Sequence, residues 1–203
     1  MKKLESNFKN MVLALSSITL FAALALGSVY TLTKDPIAVS KTAKQQNAIK
    51  DVLPPFDHFD QKPIEVNDGV EVLKVYKAYD KSNDFVGAAV ETSSNNGFSG
   101  KISLMVGFDK AGAIVNYSVL EQKETPGLGA KMLNWFKTNN KSQSIIGKNP
   151  ATVNLSVSKD GGEIDAITAA TISSRAFLFA VRNAYAAYCQ NSDHQQCDSI
   201  KVK

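Results

Sequence analysis

From Met11 to Thr33 the chain carries no charged residue, and this run limits what the rest can fold into. A helix needs about 20 consecutive apolar residues to cross the hydrocarbon core of a bilayer. A core helix of that length without a single charge would be unusual, so the run predicts a retained membrane anchor. Ala25-Leu26-Gly27 is a passable small-residue cleavage site, which leaves a cleaved signal peptide as the alternative, although the apolar run is long for one. The expected organisation is a short tail over 1–10, an anchor over 11–33, a helix and linker over 34–69, one domain over 70–190 and a polar tail over 191–203. About 170 residues follow the anchor, enough for a single sizeable core.

Lys2, Lys3 and Lys9 precede the apolar run, and Lys34, Lys41, Lys44 and Lys50 follow it. The positive-inside count is nearly tied. Long domains translocate largely regardless of charge, so the expected orientation keeps the basic tail in the cytoplasm and puts the domain on the other side. The net charge of +4 is spread over interspersed acidic and basic residues, and no nucleic-acid signature is present.

Thr42 to Leu53 reads as a helix that stops at Pro54-Pro55, and Pro54 to Gly69 as a loop. Strand patterns follow at 70–79, 85–91, 101–108, 113–121 and 152–159, with a short strand at 163–167. The clearest is Ile102, Leu104, Val106 and Phe108 alternating with Ser103, Met105 and Gly107. Asp109-Lys110-Ala111-Gly112 is a hairpin turn, and Asp160-Gly161-Gly162 is a second turn. Helices are expected over 130–137, where Met132, Trp135 and Phe136 make an apolar face, and over 173–190. In the latter Phe177, Val181, Ala184, Tyr185 and Tyr188 form the core face. Strands joined by hairpins imply an antiparallel sheet, so the expected class is α+β.

Cys189 and Cys197 lie in or beside the polar tail. An oxidising compartment would permit a disulfide between them. A zinc site from Cys189, His194 and Cys197 would need a fourth ligand such as Asp198, and structural zinc carries cleaner spacing. Cys-x-x-Cys-His is absent, which excludes c-type haem attachment. His58 and His194 are the only histidines. A Ser-His-Asp hydrolase stays open on residue types alone, but nothing reads as a nucleophile elbow. No catalytic residue and no metal ligand set is assigned.

Three segments carry the functional argument. Gly97-Phe98-Ser99-Gly100 is a glycine-flanked aromatic loop, which on its own is a hairpin turn. Glu124-Thr125-Pro126-Gly127-Leu128-Gly129 joins a strand pattern to a helical face, with Pro-Gly turn chemistry. Asp165-Ala166-Ile167-Thr168-Ala169-Ala170-Thr171-Ile172-Ser173-Ser174 suits a strand end, a turn of small residues and a helix N-terminus, where N–H groups and partial positive charge favour a phosphate. An ordinary N-cap explains one hydroxyl at such a place. Here there are four: Thr168, Thr171, Ser173 and Ser174.

In this order and behind an apolar anchor, the three segments resemble the FMN-binding domain of covalently flavinylated electron-transfer subunits, in particular the G subunits of Rnf complexes, the ion-translocating ferredoxin:NAD oxidoreductases. The C subunits of sodium-translocating NADH:quinone oxidoreductases are the sibling family. The resemblance spans nearly the whole chain. It implies FMN attached by a dedicated FMN transferase through a phosphoester to Thr171, the last residue of a Ser/Thr-Gly-Ala-Thr motif. Thr168 and Ala170 match its first and third positions and Asp165 the acidic residue before it; with Ala169, and Ser174 in the helix start after the motif, they are expected to bind the cofactor. Glu124, Thr125, Leu128 and Gly129 would line the flavin site. Ala169 stands where the family usually has Gly. The expectation is that this position needs only a small side chain, not a left-handed backbone, so that Ala is harmless. The resemblance further implies other membrane and peripheral subunits as partners and an inner-membrane location with the domain on the periplasmic side. The competing readings are a C-type subunit of a sodium-translocating NADH:quinone reductase, an anchored assembly subunit without flavin, in which Thr171 is only a cap, and a stand-alone flavoreductase.

Overall fold

The structure, a computed structural model, describes residues 7–67, 71–138, 140 and 142–191. The chain divides into two units, Met1–Lys44 and Gln45–Lys203. The Cys189–Cys197 pair and the alternative ligands His194 and Asp198 involve positions outside the described residues.

Helix α1 runs Phe8–Val52 and supplies nearly all described residues of the first unit. Among the described residues it is the one helix long and apolar enough to cross a membrane. Its hydroxyls turn back onto the helix: Ser28 Oγ donates to the Leu24 carbonyl at 2.7 Å and Thr33 Oγ1 to that of Val29 at 2.8 Å. That satisfies polar groups on an apolar helix without an outside partner. The sequence suggested an anchor followed by a separate helix over 42–53; the structure makes them one, with Pro36 inside. Proline removes a single i→i−4 bond, and the helical residues on both sides carry the helix past it.

The second unit is a six-stranded antiparallel sheet: β1 (His58–Phe59), β2 (Ile64–Asn67), β3 (Val72–Tyr79), β4 (Phe85–Gly97), β5 (Gly100–Asp109) and β6 (Ile114–Glu121). The order is β1-β3-β4-β5-β6, with β2 also pairing β3. Helix α2 (Met132–Trp135) follows a short 3-10 turn over Gly129–Lys131, and α3 (Thr171–Asn191) closes the described chain. The class is α+β, as expected.

Strand alternation gives the sheet two buried faces. On one, Leu73, Val75, Ala88, Val90, Ile102, Leu104, Val106 and Phe108 pack with Phe177, Val181, Ala184, Tyr185 and Tyr188 of α3. On the other, Tyr76, Ala78, Ala89 and Met105 pack with Ala48, Ile49 and Val52 from the end of α1. Gln45 secures that end by donating to Tyr76 Oη at 2.9 Å and to Glu91 Oε2 at 2.6 Å. Asn116 Nδ2 donates to the Asp51 carbonyl at 2.8 Å, one of the acceptors a helix end leaves open.

Three expectations are corrected. β4 extends to Gly97 because Thr92 and Ser94, polar in sequence, are only 3% exposed, and the Thr92 hydroxyl donates to the Ala180 carbonyl in α3 at 3.0 Å. The loop over 54–69 contains β1 and β2, both paired to β3. The strands expected at 152–159 and 163–167 are absent: the segment forms turns, a 3-10 turn over Ser158–Asp160 and a single bridge, Val157 to Ile164. Buried Leu155 and Val157 produce the alternation. Local side-chain bonds compete with a ladder: Asn149 Oδ1 accepts from Ala151 N at 2.9 Å and Glu163 Oε1 from Asn154 N at 3.0 Å.

Candidate functional site

The turn before α3 is built by small residues and one serine. Ala170 N–H donates to the Ile167 carbonyl at 2.9 Å and closes a tight turn. The Ser174 hydroxyl accepts from Ile167 N at 2.9 Å and donates to the Ala170 carbonyl at 2.9 Å, so it ties both ends of that turn to the first turn of α3. The first helical bond is Ser174 N–H to the Ala170 carbonyl, at 3.0 Å. The N–H groups of Thr171, Ile172 and Ser173 therefore precede the ladder, the arrangement that makes a helix N-terminus receptive to anions. Ser174 braces the turn, and Ser173 Oγ donates to Glu124 Oε2 at 2.7 Å. The Thr171 hydroxyl makes no hydrogen bond among the described residues.

Ala169 lies third in the turn with φ +61°, which corrects the expectation that the position needs only a small side chain. A left-handed backbone costs an L-residue roughly 1–2 kcal/mol that glycine avoids. Ala169→Gly is accordingly expected to stabilise the protein by about 1 kcal/mol, read from the midpoint of a denaturant melt.

Two cavities meet at this turn. The first, about 340 Å³, is lined by Phe98, Glu124, Thr125, Leu128, Gly129, Ala169, Ala170, Thr171, Ile172 and Ser173. The second, about 390 Å³, has Thr168, Asp165, Ser158, Lys159, Gln143 and Trp135 on its walls. Ala169 and Thr171 line both. Of the residues named from the sequence, Glu124, Thr125, Leu128, Gly129, Ala170 and Thr171 converge on the first cavity, while Asp165 and Thr168 lie on the second. Ser174 lines neither, being fully buried with its hydroxyl engaged in the turn. Phe98, Ile172 and Ser173 line the first cavity without having been assigned to it from the sequence. Phe98 and Ile172 are 69% and 50% exposed; a large apolar residue inside each motif segment was the available signal, and its exposure is a fact of the structure. Tyr185 and Tyr188 are core residues packed on Phe108, with centroid distances of 5.6 and 5.1 Å.

The residues present fit FMN. A mostly apolar cavity takes a flat ring system, and an unengaged hydroxyl beside unpaired N–H groups suits a phosphoester. Trp135 holds the approach to the turn, its indole N–H donating to the Asp165 carbonyl at 3.0 Å.

One turn into α3, Arg175 forks the Asp160 carboxylate with two bonds of 2.7 Å. The hydrogen bond from Arg175 lowers Asp160 from its ordinary value, with desolvation opposing it and the guanidinium charge adding to it. A depressed folded-state value means that the pair's stabilisation is complete above the ordinary aspartate value and is lost as pH falls through the depressed one. Melts of the protein and of Asp160→Asn should therefore differ by a constant small amount at neutral pH and converge below the ordinary value of 3.8.

Residues 97–186, from the tip of the β4–β5 hairpin to the middle of α3, match the family model described as the FMN-binding domain. Over 191 residues the chain is 35% identical to the G subunit of the ion-translocating oxidoreductase complex of Yersinia pestis, covering 86% of this chain and 88% of that one. It is 33% identical to the G subunit of the complex of the same name from Haemophilus influenzae (strain PittEE) over 201 residues, 93% and 94% of the two chains. The archaeal G subunit from Methanosarcina acetivorans is 34% identical over 172 residues, 82% and 87%. With this identity sustained over nearly the full length of bacterial and archaeal relatives, the chain belongs to the family of ion-translocating oxidoreductase complex G subunits and contains its FMN-binding domain.

Proposed function

We propose that this protein is a membrane-anchored electron-transfer subunit of an ion-translocating ferredoxin:NAD oxidoreductase, carrying FMN as a phosphoester on Thr171. The observation that carries the reading is the Thr171 hydroxyl, unengaged at the first residue of α3 on the wall common to both cavities. FMN would supply a carrier able to take one or two electrons and so link one-electron and two-electron partners. The chain's own residues do the holding. The N–H groups at the start of α3 face the phosphate, Ala169 and Ala170 leave room beside the backbone, and Phe98, Leu128 and Ile172 shield the ring from water. A covalent tether keeps the carrier from diffusing away.

The apolar part of α1 would anchor the protein in the inner membrane, with residues 1–10 in the cytoplasm and the domain on the periplasmic side. Its partners would be the other membrane and peripheral subunits of the complex, and an FMN transferase that modifies Thr171. Intact mass of the denatured protein from its native host, with sequencing of the modified peptide, tests this. The expected result is a gain of FMN less one water on Thr171. An unmodified chain, from cells that flavinylate a control protein, would leave an assembly role.

A further inference from the structure

Glu124 is a charged-type residue that is only 5% exposed, yet it lines the first cavity. Its Oε1 accepts from the Ser99 backbone N–H at 3.1 Å, and its Oε2 accepts from the Ser173 hydroxyl at 2.7 Å. Both oxygens act as acceptors, the pattern of an ionised carboxylate. The two bonds reach the tip of the β4–β5 hairpin on one side and the first turn of α3 on the other. The backbone N–H of Glu124 donates to Gln122 Oε1 at 2.6 Å, which fixes the loop from which the side chain springs.

Two glycines make room for this carboxylate. A Cβ on Gly97 would lie 2.7 Å from Glu124 Oε1, and one on Gly129 would lie 2.7 Å from Glu124 Oε2 and 2.6 Å from Ser173 Oγ. Neither glycine has positive φ, so backbone freedom does not explain them. A side chain on Gly129 would occupy the slot that the carboxylate fills, and one on Gly97 would run into the Gly100 backbone carbonyl as well as the carboxylate. The Gly-Phe-Ser-Gly loop, the Glu-Thr-Pro-Gly-Leu-Gly loop and Ser173 of α3 thus form one unit around a single acidic group.

We propose that Glu124 is a positioning residue that clamps these three segments into one cavity wall and sets a fixed negative charge beside the bound flavin, lowering its reduction potential. The inference rests on FMN occupying this cavity. Full reduction brings the flavin two electrons from the other redox groups of the complex and up to two protons from solvent. A nearby carboxylate shielded from water opposes the added negative charge, so the oxidised form is favoured.

Glu124→Gln separates charge from shape. Its carbonyl can still accept from Ser99 N–H, and its amide can donate to a rotated Ser173 hydroxyl. In flavinylated protein the reduction equilibrium is expected to shift at least tenfold toward the reduced form, a rise of about 30 mV for a two-electron couple. Ser173→Ala keeps the charge and removes one bond, so its shift should be smaller than that of Glu124→Gln. In protein without flavin, Glu124→Ala should speed hydrogen exchange at Ser99 N–H at least tenfold, while Glu124→Gln leaves it within threefold. Flavinylated Glu124→Gln with an unchanged potential overturns the electrostatic role, and unchanged Ser99 exchange in Glu124→Ala overturns the clamp. Failure of the parent protein to carry FMN is a different result, seen in its mass before any variant is made, and it sinks the flavin reading itself.

Discussion

Thr171→Ala protein purified from flavinylating cells is expected to carry no covalent FMN and to melt within about 1 kcal/mol of the parent. The loss of flavin is total because a phosphoester needs the side-chain oxygen, and alanine has none. The loss of stability is small because the Thr171 hydroxyl makes no hydrogen bond among the described residues. Even a working N-cap is worth only about 1 kcal/mol. The turn keeps its own bracing, with Ser174 bonded to Ile167 N and the Ala170 carbonyl and Ser173 bonded to Glu124. Thr168→Ala should reduce attachment less, since Thr168 lines only the second cavity. Flavin fluorescence in a denaturing gel, together with a denaturant melt, reads both effects. Flavin retained on denatured Thr171→Ala chains would move the attachment site elsewhere, and a strongly destabilised variant would make Thr171 a structural residue.

Gly107→Ala should cost about 3 kcal/mol or more. Gly107 lies mid-strand in β5 on the face that receives the end of α1. A Cβ there would collide with the backbone carbonyl of Val52 and crowd Val52 Cβ at 3.0 Å. A flexible side chain could swing away, but a helix backbone cannot yield without lifting the last turn of α1. That would uncover Ala48, Ile49 and Val52, each no more than 2% exposed, and strain the bonds from Gln45 and Asn116. Overpacking of a well-filled core typically costs 1–3 kcal/mol, and a backbone obstacle places this case at the upper end. Gly27→Ala serves as the control, because a Cβ there meets nothing within 4 Å and a glycine-to-alanine change inside a helix acts only in the stabilising direction, by about 1 kcal/mol at most. A Gly107→Ala domain as stable as the parent would show that the end of α1 does not rest on β5 in solution.

The alternation of Ile102, Leu104, Val106 and Phe108 against Ser103, Met105 and Gly107 was enough to find β5, because a strand displays its pattern at period two; that Met105 is buried against the end of α1 came only from the structure. The apolar face of α3 was equally legible, and all five residues assigned to it are buried. Polar residues misled in two opposite ways. Thr92 and Ser94 looked like loop residues and proved to be buried strand, since Thr92 finds a carbonyl on α3, 88 positions away. Leu155 and Val157 looked like strand and proved to be buried turn residues, since Asn149 and Glu163 bind the local backbone. In the first case the deciding partner is a long-range hydrogen bond that no local pattern encodes, and in the second it is side-chain bonding to nearby backbone that the apolar alternation masked.

Local chemistry is what the sequence by itself determined about this protein: an uncharged apolar run, a set of alternating strands, an amphipathic final helix and a threonine in a small-residue turn. Each follows from spacing and residue type over a short stretch, where periodicity and turn propensity act. Only the tertiary structure decided that Ala169 takes a left-handed backbone, that Ser174 serves the turn instead of lining a cavity, and that Glu124 reaches from its own loop to Ser99 and Ser173. The last of these depends on segments 25 and 49 residues apart meeting around one carboxylate. The meeting place is set by how the β4–β5 hairpin and α3 pack across the sheet.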